Sequence, residues 1–295
     1  MISIDGMIIG VEKAATTSLF RYLSSHSSVA SHDVMELPYF VNEDVYKQGF
    51  DKCYNSFYTS NQNADFILAK NVGCVYFEEA HKRLYEHNPN MRLVVLLREP
   101  VSRAFSAHQY ALQKGREIEQ SFDLAVKKEP ERLSSGKMIH KRYNAYLDRG
   151  LYFKQLEKLL NYFNKNQIKI VLFEEFKENP NDTLEEILTF FDLKKEPIDT
   201  NEQFNRTVGG AKSNHLFFKL NKIIGPMLKP FFNRKSRDRI KKIFFVYNKK
   251  DNLDRPCLSE ATKKELTEYF RSDIELLESN FKIDLSKWKS INQYI

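Results

Sequence analysis

Short apolar runs alternate along the chain with segments of helical periodicity. The runs cover residues 7–9, 29–30, 66–69, 93–97 and 168–173, and the last contains Lys169. An uninterrupted apolar run such as 93–97 is typical of a strand buried on both faces of a parallel sheet. Strands that alternate with helices predict an α/β fold. We therefore expect a single α/β domain with a central parallel β-sheet flanked by helices.

Two of the predicted helices have clear apolar faces. In residues 78–87 the spacing places Ala80, Leu84 and Tyr85 inward. Residues 261–281 form a predicted helix that Ser259 caps at its N-terminus. The inward side of this last helix is predicted to carry Leu266, Tyr269, Phe270, Ile274 and Leu277.

The first apolar run leads into a loop of small residues and then into a helix. The first N–H groups of a helix have no internal partners, and the helix dipole makes that end positive. Lys13 adds a full charge, while Gly10 and the alanines let a ligand approach the backbone. The pattern predicts a phosphate-binding loop. Its candidate binding residues are Lys13, Ala14, Ala15, Thr16, Thr17 and Ser18.

This loop differs from the G-x-x-x-x-G-K-[ST] loop of nucleotide-hydrolysing enzymes. Lys13 stands three residues after Gly10, and Ala15 precedes Thr16. Such enzymes also hold Mg²⁺ with an Asp at a strand end, whereas the run 93–97 ends at Arg98. The sequence therefore favours an anion bound without a metal. A metal-dependent nucleotide kinase remains an alternative, which activity with Mg-ATP would support.

A second motif begins where the run 93–97 ends. Arg98 follows the strand, and ligands bind at the carboxyl ends of strands in open α/β sheets. Pro100 can begin the next helix, which would carry Arg103 and Ser106. Guanidinium and hydroxyl groups together suit a dianionic phosphate. The alternative is that both arginines pair with surface carboxylates.

The two motifs together resemble those of sulfotransferases that use 3′-phosphoadenosine 5′-phosphosulfate (PAPS). The family's loop, G-x-x-K-x-G-T-[ST]-x-L, is matched at Gly10, Lys13, Thr16, Thr17 and Leu19. The loop departs from the family at Ala15, where glycine is usual. The family's 3′-phosphate motif, R-[DNE]-P-x-x-R-x-x-S, is matched at Arg98, Pro100, Arg103 and Ser106.

The resemblance implies a P-loop-like sheet, PAPS as co-substrate, adenosine 3′,5′-bisphosphate as product, and no metal. The 5′ end of PAPS would lie on residues 13–18, and its 3′-phosphate on Arg98 and Ser106. Lys13 would stabilise the charge that grows on the leaving phosphate.

The segment 33–40 resembles the heparan-sulfate-type and bacterial carbohydrate sulfotransferases. Glu36, Tyr39 and Phe40 fit that pattern, while Met35 and Pro38 depart from it. In that branch the Glu is the general base, and an attacking hydroxyl does need a carboxylate to take its proton. The resemblance thus implies this role for Glu36. A solvated loop carboxylate is the alternative.

Two neighbouring residues are weaker candidates for the chemistry. His32 is an alternative base, since it lies four residues from Glu36. Lys70 follows a predicted strand, as a Lys of the K-x-P-x-Y motif does in the heparan type. This chain lacks the Pro and has different spacing to Tyr76, so we expect Lys70 to be a surface lysine.

The positive charge is concentrated in one segment. The chain carries a net charge of +7, and residues 212–255 contain thirteen Lys and Arg against three Asp, a net +10. We divide the chain into a cofactor-binding core (1–200), a basic lid-like segment (201–255) and a C-terminal helix and tail (256–295). The basic segment suits a lid over an anionic cofactor, an acidic glycan surface or a peripheral contact with anionic lipid. Nucleic-acid binding is a further alternative.

Composition limits the compartment and the kind of site. Cys53, Cys74 and Cys257 are scattered, which argues against disulfides and a zinc site. The sequence has no apolar run of membrane-spanning length and does not begin like a signal peptide. We therefore expect a cytoplasmic enzyme, with no nucleic-acid partner. The resemblance around Glu36 implies a carbohydrate or glycolipid acceptor. A small alcohol remains open as acceptor.

Overall fold

The computed structural model describes residues 2–59, 64–201 and 258–288. Nearly all of the basic segment 201–255 therefore lies outside the described residues, as does Cys257. Cys53 and Cys74 are buried free thiols. Within the described ranges, no helix is long and apolar enough to cross a membrane. The same ranges contain no group of three or more His, Cys, Asp and Glu residues that could hold a metal ion.

Five parallel strands form the central sheet in the order β2-β3-β1-β4-β5. Ile8 of β1 pairs with Lys70 of β3 on one side and with Val94 of β4 on the other. The predicted α/β class, with a central parallel sheet flanked by helices, is confirmed. The strands are β1 (Gly6–Gly10), β2 (Val29–Ser31), β3 (Phe66–Lys70), β4 (Arg92–Leu97) and β5 (Ile168–Leu172).

The chain divides into two compact units, and the first holds every strand that the structure describes. Its helices are α1 (Thr16–Ser24), α2 (Glu43–Tyr46), α3 (Phe50–Phe57), α4 (Glu78–His87), α9 (Tyr152–Leu159), α10 (Phe173–Glu178) and α11 (Pro180–Phe190). The second unit contains α6 (Phe122–Lys127), α7 (Glu129–Ser134) and α8 (Met138–Tyr143). Helices α5 (Pro100–Gln113) and α12 (Glu260–Phe281) have residues in both units.

The core of the first unit is the apolar sheet itself. The β4 run from Leu93 to Leu97 and the β1 residues Met7 to Ile9 have no exposed surface. Such burial on both faces is why these strands read as continuous apolar runs rather than as alternating ones.

The predicted helix faces are largely correct, with two exceptions. Ser259 caps α12 through its hydroxyl, which accepts from the Thr262 N–H at 3.1 Å. Tyr85 and Tyr269, however, are 43% and 47% exposed, so their predicted inward placement was wrong. Tyr85 follows the buried Leu84, and Tyr269 precedes the buried Phe270. Consecutive side chains on a helix point about 100° apart, so each tyrosine points towards solvent.

Two buried carboxylates organise the second unit. Glu129 accepts hydrogen bonds from the backbone N–H groups of Tyr146, Leu147 and Asp148. Glu117 accepts two from the Arg132 guanidinium, at 2.7 and 3.0 Å. Burial alone would raise the pKa of Glu117, but the Arg132 and backbone hydrogen bonds lower it overall. These carboxylates thus connect separate segments of the described part of this unit.

Gly10 is the last residue of β1, and the packing around it explains why a glycine stands there. This reason differs from the one given from the sequence, which was that a ligand can approach the backbone. A Cβ at this position would lie 2.5 Å from Cγ1 of Val75, which is itself buried. Since real Cβ contacts are never this short, one side chain must move to accommodate a methyl group.

We expect Gly10→Ala to lower the free energy of unfolding by about 1–3 kcal/mol through overpacking. Urea unfolding of Gly10→Ala, Val75→Ala and the double variant measures this. The double variant should be more stable than the sum of the two single effects predicts, because removing the Val75 methyl groups admits the new Cβ. Strict additivity would contradict the assigned clash.

Candidate active site

The loop after β1 is held by its neighbours in a fixed backbone conformation. The Val11 N–H donates to the Leu96 carbonyl of β4 at 2.8 Å. Lys13 and Ala15 then adopt left-handed backbone angles, with φ of 74° and 59°. These two left-handed residues turn the chain directly into α1. The left-handed angle at Ala15 explains why glycine suits this position, since a Cβ disfavours it.

The first turn of α1 offers open hydrogen-bond donors. The N–H groups of Ser18 and Leu19 donate to the Ala15 carbonyl. The N–H groups of Thr16 and Thr17 have no acceptor among the described residues. The first turn holds no acidic side chain, and no side chain caps it. This geometry suits an anion.

The other helices that follow strands begin differently. Glu99, just before α5, accepts from the N–H groups of Val101 and Ser102 at 2.9 and 2.7 Å. Acidic side chains lie in the first turns of α2, α4 and α10. Carboxylates at a helix start occupy or neutralise the positions an anion would need.

Arg98 joins the second motif to the loop. Its Nη1 donates to the Lys13 carbonyl at 3.1 Å, and its guanidinium lies 4.8 Å from the ring centre of Phe173. Its own carbonyl accepts from the Tyr152 hydroxyl at 2.8 Å. No carboxylate of the described residues lies within ion-pair distance of Arg98, so the surface-pair alternative was wrong for it. Burial lowers the pKa of Arg98.

Arg103 binds the backbone and side chain of Glu12 in the loop after β1. Its side chain is 1% exposed, its Nε donates to the Glu12 carbonyl at 3.3 Å, and its guanidinium pairs with the Glu12 carboxylate at 3.6 Å. It therefore braces the residue before Lys13. Ser106 lies in α5, half-buried, and belongs to the second unit. Its contact with a 3′-phosphate stays a prediction.

Glu36 and Lys70 form a close ion pair at the end of β3. The Lys70 Nζ lies 2.5 Å from Oε1 of Glu36, and the Val72 N–H donates to Oε2 at 2.9 Å. The lysine side chain has no exposed surface, while a third of the glutamate side chain, 33%, remains accessible. The expected surface position of Lys70 was therefore wrong. Glu36 is bound by Lys70 and the Val72 N–H rather than free in solvent, although part of its side chain stays accessible.

Burial acts on both partners of this pair. It raises the pKa of Glu36, against the opposing effects of Lys70 and of the Val72 hydrogen bond. It lowers the pKa of Lys70, which Glu36 opposes. A carboxylate of raised pKa that remains accessible is a better proton acceptor than an ordinary surface glutamate.

His32 has no free ring nitrogen with which to act as base. Its Nδ1 donates to the Val34 carbonyl at 2.9 Å, and its Nε2 accepts from the Lys70 N–H at 3.0 Å. Burial lowers its pKa to about 4, so the ring is neutral at neutral pH. His32 stacks on Phe20 and is 3% exposed. It supports the strand end, and the alternative assignment of His32 as base is not favoured.

The described residues fit a ligand that carries phosphate or sulfate groups. Two backbone N–H groups at the start of α1 are open, and the cations Lys13 and Arg98 adjoin them. Glu36 is accessible beyond the end of β3, which pairs with β1. The arrangement can bind an anion at the loop and accept a proton next to it.

Comparisons with known proteins show which family the sequence matches. The family profile described as "Sulfotransferase domain" matches residues 3–263. Human bifunctional heparan sulfate N-deacetylase/N-sulfotransferase 3 is 28% identical over 192 residues, 62% of this chain and 22% of that protein. Mouse heparan sulfate glucosamine 3-O-sulfotransferase 5 is 27% identical over 207 residues, 69% of this chain and 57% of that protein. The chain thus aligns with between about a fifth and just over half of these relatives.

A solved structure shares the fold. A sulfotransferase from Alicyclobacillus acidocaldarius superposes with a TM-score of 0.69 at 22% identity. The match covers 98% of this chain and 100% of that one. At this identity the likeness supports the α/β architecture.

Ala15 and Ala14 provide a matched test of the loop backbone. We expect Ala15→Gly to raise the free energy of unfolding by up to about 1 kcal/mol, because it removes a Cβ from a left-handed residue. Ala14 is fully buried with an ordinary φ, so Ala14→Gly should instead lower stability by about 1 kcal/mol. Thermal and urea unfolding compare the two. Equal losses in both variants would contradict the left-handed geometry at Ala15.

Proposed function

The chain belongs to the sulfotransferase domain family, and from that premise we propose that this sulfotransferase moves a sulfuryl group from PAPS to a carbohydrate or glycolipid acceptor. The sulfuryl group is received by a hydroxyl or an amine of the acceptor, and adenosine 3′,5′-bisphosphate leaves. One observation carries the proposal. The open start of α1, the Arg98 guanidinium and the Glu36–Lys70 pair follow three neighbouring strands of the sheet.

When bound, PAPS supplies a sulfuryl group already activated by its bond to phosphate. Residues 13–18 would hold the 5′ end with backbone N–H groups and hydroxyls, and Arg98 with Ser106 would hold the 3′-phosphate. Lys13 would place its ammonium near the leaving phosphate, where positive charge lowers the barrier. No metal is needed for these roles.

Glu36 would take the acceptor proton. The accessible part of its side chain leaves room for an incoming hydroxyl, while Lys70 and the Val72 N–H fix the carboxylate in place. Because the pKa of Glu36 is raised, the proton is accepted with a stronger driving force than at a surface glutamate. Lys70 keeps the carboxylate ionised against the effect of burial.

The relatives support a carbohydrate acceptor. Both named relatives act, by their names, on heparan sulfate. The acceptor we propose is therefore a sugar hydroxyl or amine. The cytoplasmic location, the lipid contact and the nucleotide-kinase and nucleic-acid alternatives have no observation among the described residues in their favour.

Binding of adenosine 3′,5′-bisphosphate tests the cofactor assignment. By calorimetry with chelator present, we expect binding by the wild type and about ten- to a hundredfold weaker binding by Arg98→Ala, which loses charged hydrogen bonds. Arg92 lies at the opposite end of β4 and pairs with Asp192, so Arg92→Ala is the matched control and should bind normally. No binding at millimolar ligand, or equal losses in both variants, would refute the assignment.

Glu36→Gln tests the general base. With PAPS and desulfated heparan sulfate as acceptor, we expect sulfate transfer to fall by about 10²–10⁴-fold, while binding of adenosine 3′,5′-bisphosphate is unchanged. Glu78→Gln is the control, since it removes a carboxylate from the exposed Lys158 pair. In the wild type, kcat should fall at acid pH with an apparent pKa above 4.5, the ordinary glutamate value from which that of Glu36 is raised. Full transfer by Glu36→Gln would exclude the proposed role.

A further inference from the structure

Asn71 connects the segment that carries Glu36 to the turn that follows β3. Its Nδ2 donates to the Leu37 carbonyl at 2.7 Å, and its Oδ1 accepts from the Gly73 N–H at 2.9 Å. The side chain is 6% exposed, and Leu37 is fully buried. One amide therefore ties together two segments that lie 34 residues apart.

The same short turn contains a hydrogen-bond donor to Glu36. The Val72 N–H, between the two ends of the Asn71 turn, donates to Oε2 of Glu36 at 2.9 Å. The Leu37 N–H in return donates to the Lys70 carbonyl at 2.8 Å. Asn71 thus holds the residue after Glu36 with its Nδ2, and with its Oδ1 it holds the turn that presents the Val72 N–H.

We propose that Asn71 is a positioning residue for Glu36: it fixes the turn that presents the Val72 N–H to the carboxylate and thereby sets the orientation and proton affinity of that carboxylate. Neither cofactor motif contains Asn71, and its side chain is bonded to backbone groups alone. Its importance for catalysis rests on the proposed function of Glu36. Its effect on the carboxylate does not.

The direction of the effect follows from the charges around Glu36. Lys70 faces it from β3 and favours the ionised form, while Glu12 from the loop after β1 disfavours it. The buried Cys74 thiol lies in the same turn and is itself affected by Glu36, and Arg21 of α1 acts on Lys70. The Val72 hydrogen bond adds to the ionising side. Loosening the turn removes that contribution, so the carboxylate should hold its proton to higher pH.

Asn88 offers a control with the same bonding pattern. Its Nδ2 donates to the Ile4 carbonyl at 2.9 Å, and its Oδ1 accepts from the Asn90 N–H, two residues on, also at 2.9 Å. Asn88→Ala therefore removes the same two kinds of hydrogen bond as Asn71→Ala. Asn88 precedes β4, and its partner Ile4 precedes β1. Glu36 instead contacts the end of β3 and the turn after it.

The experiment is a pH titration of the Glu36 carboxyl carbon by ¹³C NMR on the full chain, with the signal assigned by its loss in Glu36→Gln. In Asn71→Ala we expect the midpoint to move to higher pH by about one unit, and in Asn88→Ala to stay at the wild-type value. Both variants should lose thermal stability, and Asn71→Ala should lose more because both of its hydrogen bonds are buried. An unchanged midpoint in Asn71→Ala, or an equal shift in both variants, would overturn the proposal.

A second variant covers the case in which Asn71→Ala does not fold. Asn71→Ser keeps an acceptor for the Gly73 N–H but is too short to reach Leu37. We expect it to fold and to show the same direction of shift, and an unshifted midpoint would count against the proposal. Transfer assays then separate the two hypotheses. If Glu36→Gln is inactive while Asn71→Ser matches Asn88→Ala in its pH profile, the positioning role fails and the proposed base remains.

Discussion

The buried ammonium group of Lys70 requires a negative charge beside it, and the surrounding segments hold one in place. An ammonium group removed from water is costly unless a carboxylate lies against it. Glu36 provides that carboxylate at 2.5 Å. Breaking such a pair by removing one partner typically costs about 3–5 kcal/mol. The proposed base is therefore also part of what makes the end of β3 stable, and its segment is held to that end by Leu37 and Asn71.

The strand order places the loop after β1, Lys70 and Arg98 at the carboxyl ends of neighbouring strands. In the order β3-β1-β4, the central strand leads into the loop, and its neighbours end at Lys70 and just before Arg98. Parallel strands end together, so groups distant in sequence become adjacent there. The Arg98 contact with the Lys13 carbonyl shows two of these strand ends meeting directly.

The parts of the site that depend on local sequence could be predicted, and the parts that depend on tertiary pairing could not. The loop at Gly10 and the strand before Arg98 are contiguous patterns, and both were placed correctly. Lys70 was misjudged because its partner lies 34 residues away and a lysine after a strand usually reaches solvent. A weak signal existed, since Lys70 directly follows a fully apolar run. The role of Asn71 had no signal, because its partners are backbone groups of other segments. Tyr85 and Tyr269 show the remaining error, at the edge of a helical stripe where one residue decides exposure.

The helix starts differ in a way that has a consequence for ligand choice. Among the described helices that follow strands, α1 begins without a carboxylate, whereas Glu99 fills the start of α5 and acidic residues stand in the first turns of α2, α4 and α10. Every one of these helices carries the same backbone dipole. The protein's own carboxylates already supply negative charge at four of these helix starts. If an anion binds at one of the five, as proposed, the start of α1 is the one that lacks a competing carboxylate.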